Sequence, residues 1–206
     1  MNSKKRRLGV FGGSFDPPHG GHLHAARCAA QAFQLDHVLF VPAARPPHKP
    51  GRNLASGAHR VALLERLLEG EPGVSIDPRE LAREGPSYTV DTLAELAGES
   101  ELFLILGTDN LAGLPKWFQL ERIFELAQPI VIHRAGEREQ HLKGLEAQLS
   151  PPQLKRLARG FVEWPPVTVS STDLRSAVRA GSGPGEHLPP ALEQYIREHG
   201  LYRGDE

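Results

Sequence analysis

Short unbroken apolar runs alternate along this chain with stretches in which apolar residues return every three or four positions. Leu8-Gly9-Val10-Phe11 is the first run and stops at Gly12-Gly13. From Gly21 to Phe33, Leu23, Ala26, Ala30 and Phe33 recur at helical spacing. Val38-Leu39-Phe40-Val41 predicts a second strand, closed by Pro42 and a loop through Pro50. Val61, Leu64, Leu67 and Leu68 predict a helix ending near Gly70. Val74-Ser75-Ile76 reads as a weak strand, and Val90, Leu93 and Leu96 as a helix before Gly98. Leu102 to Leu106 is the strongest strand, followed by Ile130-Val131-Ile132 and Val167-Thr168-Val169. Between Gly136 and Gly160 the chain is polar and mostly helical, through Leu142, Leu145 and Leu149. Pro189-Pro190 opens and Gly200 closes a last helix carrying Leu192, Tyr195 and Ile196.

A strand buried on both faces reads as a continuous apolar run, and helices between such strands supply the parallel crossovers. The pattern predicts an α/β fold: a doubly wound, Rossmann-like parallel sheet with helices on both faces. It predicts one domain over residues 1–206, with residues 1–6 flexible and a small helical C-terminal part from about residue 171. Ligands of such sheets bind beyond the carboxyl ends of the strands. The chemistry is expected there.

Composition narrows the class. A chain of 206 residues suits one domain, and its 39% hydrophobic and 24% charged residues are ordinary for a soluble protein. The single cysteine, Cys28, leaves no internal disulfide and fits a reducing cytoplasm. With 24 Lys plus Arg against 25 Asp plus Glu, the basic excess that a nucleic-acid partner calls for is missing. Lys4-Lys5-Arg6-Arg7 could begin a signal peptide, but no apolar region follows, and no run approaches membrane-spanning length.

Gly12-Gly13-Ser14-Phe15-Asp16-Pro17-Pro18-His19-Gly20-Gly21-His22 lies between the first strand and the first helix. Glycines let backbone N–H groups approach an anion, and a helix start adds unpaired N–H groups and partial positive charge. His19 and His22 stand three apart and can face one ligand, whose polyphosphate charge would favour their protonated forms. Glycines alone or histidines alone would be an ordinary turn; together they point to a phosphate site. A metal reading through His19, His22 and His24 fails because the helix turns His24 away. The segment resembles the nucleotidyltransferase superfamily signature G-G-[ST]-F-D-P-x-H-x-G-H, related to the HIGH motif of class I aminoacyl-tRNA synthetases. The resemblance implies that His19 and His22 contact ATP phosphates without a covalent intermediate.

Ser170-Ser171-Thr172-Asp173-Leu174-Arg175 follows the last predicted strand. Ser171 or Thr172 can cap a helix through Leu174 and Val178 to Gly181. Alone, this is a capped helix with an exposed arginine. It also matches the superfamily's second signature, S-[ST]-[ST]-x-[IL]-R. The two signatures imply an ATP site of Gly12, Gly13, Ser14, Phe15, His19, His22, Ser171, Thr172 and Arg175, which Gly107 and Asp109 after the strongest strand are expected to complete. His19, His22 and Arg175 are the expected catalytic cations.

Three further stretches bear on the acceptor. Pro46-Pro47-His48-Lys49 could seat a phosphate or be a solvated loop. Pro86-Ser87-Tyr88-Thr89 opens a helix whose N–H groups could hold a carboxylate. Gly107-Thr108-Asp109-Asn110 follows the strongest strand, where Asp109 could accept from ribose, and Trp117 could stack on a cationic ring or simply pack. Together with Arg60, Glu80, Arg134 and Gly200-Leu201-Tyr202, these stretches resemble the bacterial nicotinate mononucleotide adenylyltransferase family nearly end to end. Pro18 departs from the Ile or Val common there, and residues 136–160 match loosely. The resemblance implies an acceptor site of His48, Lys49, Tyr88, Thr89, Asp109, Trp117 and Arg134. It implies in-line attack of nicotinate mononucleotide on the α-phosphorus of ATP, with Mg²⁺ carried on the nucleotide and no dedicated protein metal site. The rival readings are a phosphopantetheine adenylyltransferase, for which Trp117 has no role, and a nucleotide sensor without catalysis.

Overall fold

The computed structural model describes residues 5–46, 54–98, 100–134, 136–164, 169–182 and 188–204. The apolar runs become parallel strands: β1 (Arg6–Gly13), β2 (His37–Pro42), β3 (Val74–Ile76), β4 (Ser100–Gly107) and β5 (Ala127–Arg134). A sixth, β6 (Phe161–Trp164), completes a sheet of order β3-β2-β1-β4-β5-β6 in which every neighbouring pair is parallel. This is the doubly wound order expected.

Parity along each strand explains why the runs are unbroken. Phe103 and Ile105 enter one core while Leu102, Leu104 and Leu106 enter the other. In β5, Ile130 and Ile132 side with the first core and Val131 with the second. Helices cover both faces. The first core is closed by α1 (Gly20–Phe33), α2 (Gly57–Leu67) and α8 (Pro190–Glu198), through Ala26, Leu64 and Leu192 among others. The second is closed by α3 (Thr89–Leu96), α4 (Leu120–Leu126) and α6 (Pro151–Ala158), through Leu93, Ile123 and Leu157. The C-terminal helices, α7 (Ser171–Arg179) and α8, send Leu174 and Ile196 into the first core.

The second half departs from the sequence pattern in places. The strand expected at 167–169 does not form at Val169, which has no regular structure, and residues 167 and 168 lie outside the described set. The edge position goes to Phe161-Val162-Glu163-Trp164, paired only with β5. An edge strand can carry a charge such as Glu163, which breaks the apolar run by which a buried strand is recognised. The polar stretch before it is two helices, α5 (Arg138–Leu145) and α6. Pro151-Pro152 starts α6, and the Gln153 side-chain oxygen accepts the Ser150 N–H at 2.9 Å.

At Gly160 the chain enters β6 against the neighbouring strand. A Cβ there would lie 1.9 Å from the Pro129 carbonyl oxygen, so only glycine fits. Gly160→Ala should cost about 1–3 kcal/mol through backbone displacement. That is a fall of roughly 2–10 °C in Tm for a domain of this size. Gly144, within α5 and with open space around its Cβ position, is the control, and its alanine variant should not lose stability. Equal melting of the wild type and Gly160→Ala would contradict this packing.

Candidate active site

The loop after β1 carries the first motif, and its main chain is held from several sides. Phe15 takes a left-handed φ of 48° and buries its ring against Phe11, Phe40 and His22. The Asp16-Pro17 bond is cis. Asp16 is 1% exposed, and its Oδ1 accepts the Ala55 N–H at 3.2 Å and the Tyr202 hydroxyl at 2.8 Å. Arg60, 2% exposed, donates to the Ser14 carbonyl at 2.8 Å and the Ala55 carbonyl at 2.9 Å. Burial pulls the Arg60 guanidinium below its ordinary value, and the Asp16 carboxylate opposes that shift.

His19 stands at the N-cap of α1, and His22 one turn in. His22 Nδ1 accepts the His19 backbone N–H at 3.2 Å, and the two ring centroids lie 3.8 Å apart. Gly21 makes room for this pair, because a Cβ there would sit 2.9 Å from His19 Nδ1. The imidazoles look onto a cavity of about 430 Å³ at the carboxyl ends of β1, β4 and β5, beside the point where strand order reverses. Gly12, Gly13, Ser14, Phe15 and Asp16 line it from one side. Gly107, Thr108, Asp109, Ser171 and Thr172 line it from the other.

The second motif meets the first directly. Ser171 Oγ donates to the Pro17 carbonyl at 2.9 Å, and Arg175 donates to the Asp16 carbonyl at 2.6 Å. Arg175 also reaches Thr172 Oγ1 at 3.2 Å and is not itself part of the cavity wall. The α7 cap falls to Ser170, whose Oγ accepts the Asp173 N–H at 3.1 Å, rather than to Ser171 or Thr172. Ser171 lies inside the helix and uses its hydroxyl to bridge to the first loop.

A second pocket of about 110 Å³ adjoins the first and shares Gly12, Gly13, Ser14, Leu106 and Asn110 with it. Tyr88, Thr89 and Trp117 line it, so these three of the predicted acceptor residues converge. Tyr88 is the N-cap of α3 and Thr89 its first residue. Asp109 lines only the first cavity; its neighbour Asn110 lines both. Arg134 ends β5, and its side chain lies outside the described set, as do His48 and Lys49.

Phe118 and His133 escaped the sequence reading, and Glu80 entered it only through the family resemblance. Phe118, 48% exposed, sets its ring 4.6 Å from that of Tyr88, and only its place beside Trp117 could have marked it. His133, 7% exposed, lines the large cavity from near the carboxyl end of β5, where a histidine directly after an apolar run reads as packing. Glu80, 6% exposed, lines the small pocket and accepts the Thr92 hydroxyl at 2.6 Å. Ser87 Oγ beside it accepts the Ala44 and Arg45 N–H groups, fixing the start of the loop after β2.

Comparison with known proteins agrees with this geometry. The Cytidylyltransferase-like family model matches residues 10–177. A Pseudomonas aeruginosa protein named "Probable nicotinate-nucleotide adenylyltransferase" is 39% identical, over 96% of this chain and 98% of its own length. One of the same name from Thermomicrobium roseum is 41% identical, over 96% and 92%. The chain belongs to the nicotinate-nucleotide adenylyltransferase family. Among solved structures, a Plasmodium falciparum nicotinic acid mononucleotide adenylyltransferase complexed with NaAD aligns with TM-score 0.71. It covers 97% of this chain and 98% of its own at 16% identity, which speaks to the fold. A Vibrio parahaemolyticus structure described as a putative nicotinate-nucleotide adenylyltransferase aligns at 0.66, with 18% identity and 97% of both chains covered.

In this family member, burial pushes the Glu80 carboxyl above its ordinary value near 4.5, against hydrogen bonds from Thr92 and Ser87 that pull it down. A carboxyl whose pKa is raised by folding binds its proton more tightly in the folded state, so its contribution to stability is lost as pH rises through the raised value. The Glu80 share of the stability read by urea unfolding should therefore decline over that window. Glu80→Gln, which keeps an acceptor for Thr92, should remove this decline and gain on the wild type as pH rises from 4 to 8. Parallel profiles would show that Glu80 is not its source.

Proposed function

We propose that this chain transfers the adenylyl group of ATP to nicotinate mononucleotide, releasing pyrophosphate and forming nicotinate adenine dinucleotide. The observation that carries the proposal is the pair of adjoining pockets sharing Gly12, Gly13 and Ser14, with two imidazoles on one side and an aromatic, helix-capped pocket on the other. ATP takes the larger cavity and the mononucleotide the smaller one. A phosphate oxygen of the mononucleotide bonds to the α-phosphorus as the bond to pyrophosphate breaks. The nucleophile is already anionic near neutral pH, so the task is positioning and charge stabilisation.

In this reading the starts of α1 and α7 both direct backbone N–H groups toward phosphate. His19 and His22 stabilise the charge that develops on the leaving side. Ser171 and Thr172 flank the phosphates, and Arg175 adds a fixed cation through Thr172 and the Asp16 carbonyl. Phe15 shapes the floor of the cavity, and Gly107 and Asp109 take the ATP ribose. Tyr88 and Thr89 offer the start of α3 to the nicotinate carboxylate. Trp117 stacks on the pyridinium ring. We assign His48, Lys49 and Arg134 to acceptor phosphate by resemblance to the family.

Among the described residues, no three His, Cys, Asp or Glu side chains converge on a position for a metal ion. We assign the divalent cation, which we take to be Mg²⁺, to ATP itself, where it would supply charge neutralisation along the polyphosphate. We place the reaction in the cytoplasm; among the described residues no helix is long and apolar enough to cross a membrane.

Pyrophosphate release from Mg-ATP should occur with nicotinate mononucleotide and be far weaker with nicotinamide mononucleotide, whose amide brings donors to N–H groups that need an acceptor. Release with phosphopantetheine instead would keep the chemistry and overturn the acceptor pocket. ATP binding without release would leave a sensor. His22→Ala should lower kcat by about 10²–10³-fold, the loss typical of removing one preorganised charge stabiliser. Near-normal kcat in a folded variant would remove His22 from the catalytic group.

A further inference from the structure

The chain fastens its phosphate loop with a residue far outside both signatures. Tyr202 lies after α8, 186 positions from Asp16, and its hydroxyl donates to Asp16 Oδ1 at 2.8 Å. That same oxygen accepts the Ala55 N–H at 3.2 Å, and Arg60 ties the Ala55 and Ser14 carbonyls together. Asp16 is 1% exposed, so water does not stand in for a lost partner. Tyr202 also holds a left-handed φ of 62°, a backbone state that non-glycine residues seldom adopt unless their surroundings impose it.

From this geometry we infer that Tyr202 is a positioning residue for adenylyl transfer, acting through Asp16 on His19 and His22. The link is short and stiff. Between Asp16 and His19 stand only Pro17 and Pro18, whose rings fix φ, so a displaced Asp16 carries His19 with it. His19 in turn carries His22, through the 3.2 Å bond from its backbone N–H to the His22 ring. The carboxylate is thus the point at which the C-terminal segment, the residues before α2 and the phosphate loop are joined. Burial, with the Asp16 charge beside it, pushes the Tyr202 hydroxyl well above its ordinary value and keeps it a donor throughout the neutral range. The chemical consequence rests on the adenylyltransferase reading; the mechanical one does not.

Tyr202→Phe removes the hydroxyl alone, and Tyr195→Phe is the matched control. Tyr195 also bridges the C-terminal segment to the body of the protein, its hydroxyl 3.0 Å from His59 Nδ1, without touching the phosphate loop. Steady-state kinetics should show kcat about tenfold lower in Tyr202→Phe, with KM for ATP changed less than twofold. A misplacement of about 1 Å can cost as much as ~10²-fold. Tyr195→Phe should keep kcat within twofold of the wild type. Hydrogen exchange without substrates should be faster over residues 12–22 in Tyr202→Phe only. Unchanged exchange there, or equal loss of kcat in both variants, would overturn the positioning role. If the wild type releases no pyrophosphate with any acceptor, the proposed function fails, and exchange still decides whether Tyr202 holds the loop.

Discussion

Two backbone carbonyls in the loop after β1 are gripped by guanidinium groups arriving from opposite ends of the sequence. Arg60 takes the Ser14 carbonyl and Arg175 the Asp16 carbonyl. A charged donor makes a stronger bond than a neutral one, and most of this cluster is shut away from water. Arg60 is itself a buried cation, tolerable because the Asp16 carboxylate lies near it and two carbonyls take its N–H groups. The loop's shape, the direction in which α1 starts and the approach of the two imidazoles all follow from these contacts. Removing either guanidinium would leave polar groups unpaired.

The same loop explains how one site can serve two substrates. Gly12, Gly13 and Ser14 form part of both pocket walls, so in the proposed reaction the two phosphates would meet across a strip of backbone. The large cavity draws on the ends of β1, β4 and β5 and on α7. The small one draws on the loop after β2, the start of α3 and the 3₁₀ turn before Trp117. Placing β4 beside β1 brings these sets together. Tyr88, Trp117 and Phe118 line the small pocket alone, so on the proposed assignment the choice of acceptor varies there without disturbing the nucleotide side.

Much of this was legible in the residues. The central strands announced themselves because burial on both faces leaves no room for polar positions, as in Leu102 to Leu106. The histidine pair was readable from its glycine-rich helix start and the Ser171-to-Arg175 segment from the superfamily signature, and His19, His22, Ser171 and Thr172 do line one cavity. Other features were silent for physical reasons. Edge strand β6 hides behind Glu163 because an edge need not be apolar throughout. The α7 cap passed from Ser171 to Ser170 because three adjacent hydroxyl residues offer equivalent caps, and only the docking against Pro17 separates them. His133 became a pocket residue through tertiary placement, and Glu80 was marked only by the family resemblance. Arg175, expected at the ATP phosphates, also grips main chain at the Asp16 carbonyl, a contact that a motif cannot display.

The bond between Tyr202 and Asp16 also orders events in time. Its partners are separated by 186 positions, among the longest contacts this chain can make. Contacts that distant form late, because the intervening chain must first be organised for their closure to cost little. The glycine-rich loop precedes Tyr202 by 186 positions, so its fastening waits on a segment made much later. A nascent chain could thus assemble the sheet, cover both faces and even bind nucleotide loosely before its histidines were in register. Competence to react would arrive with the tail.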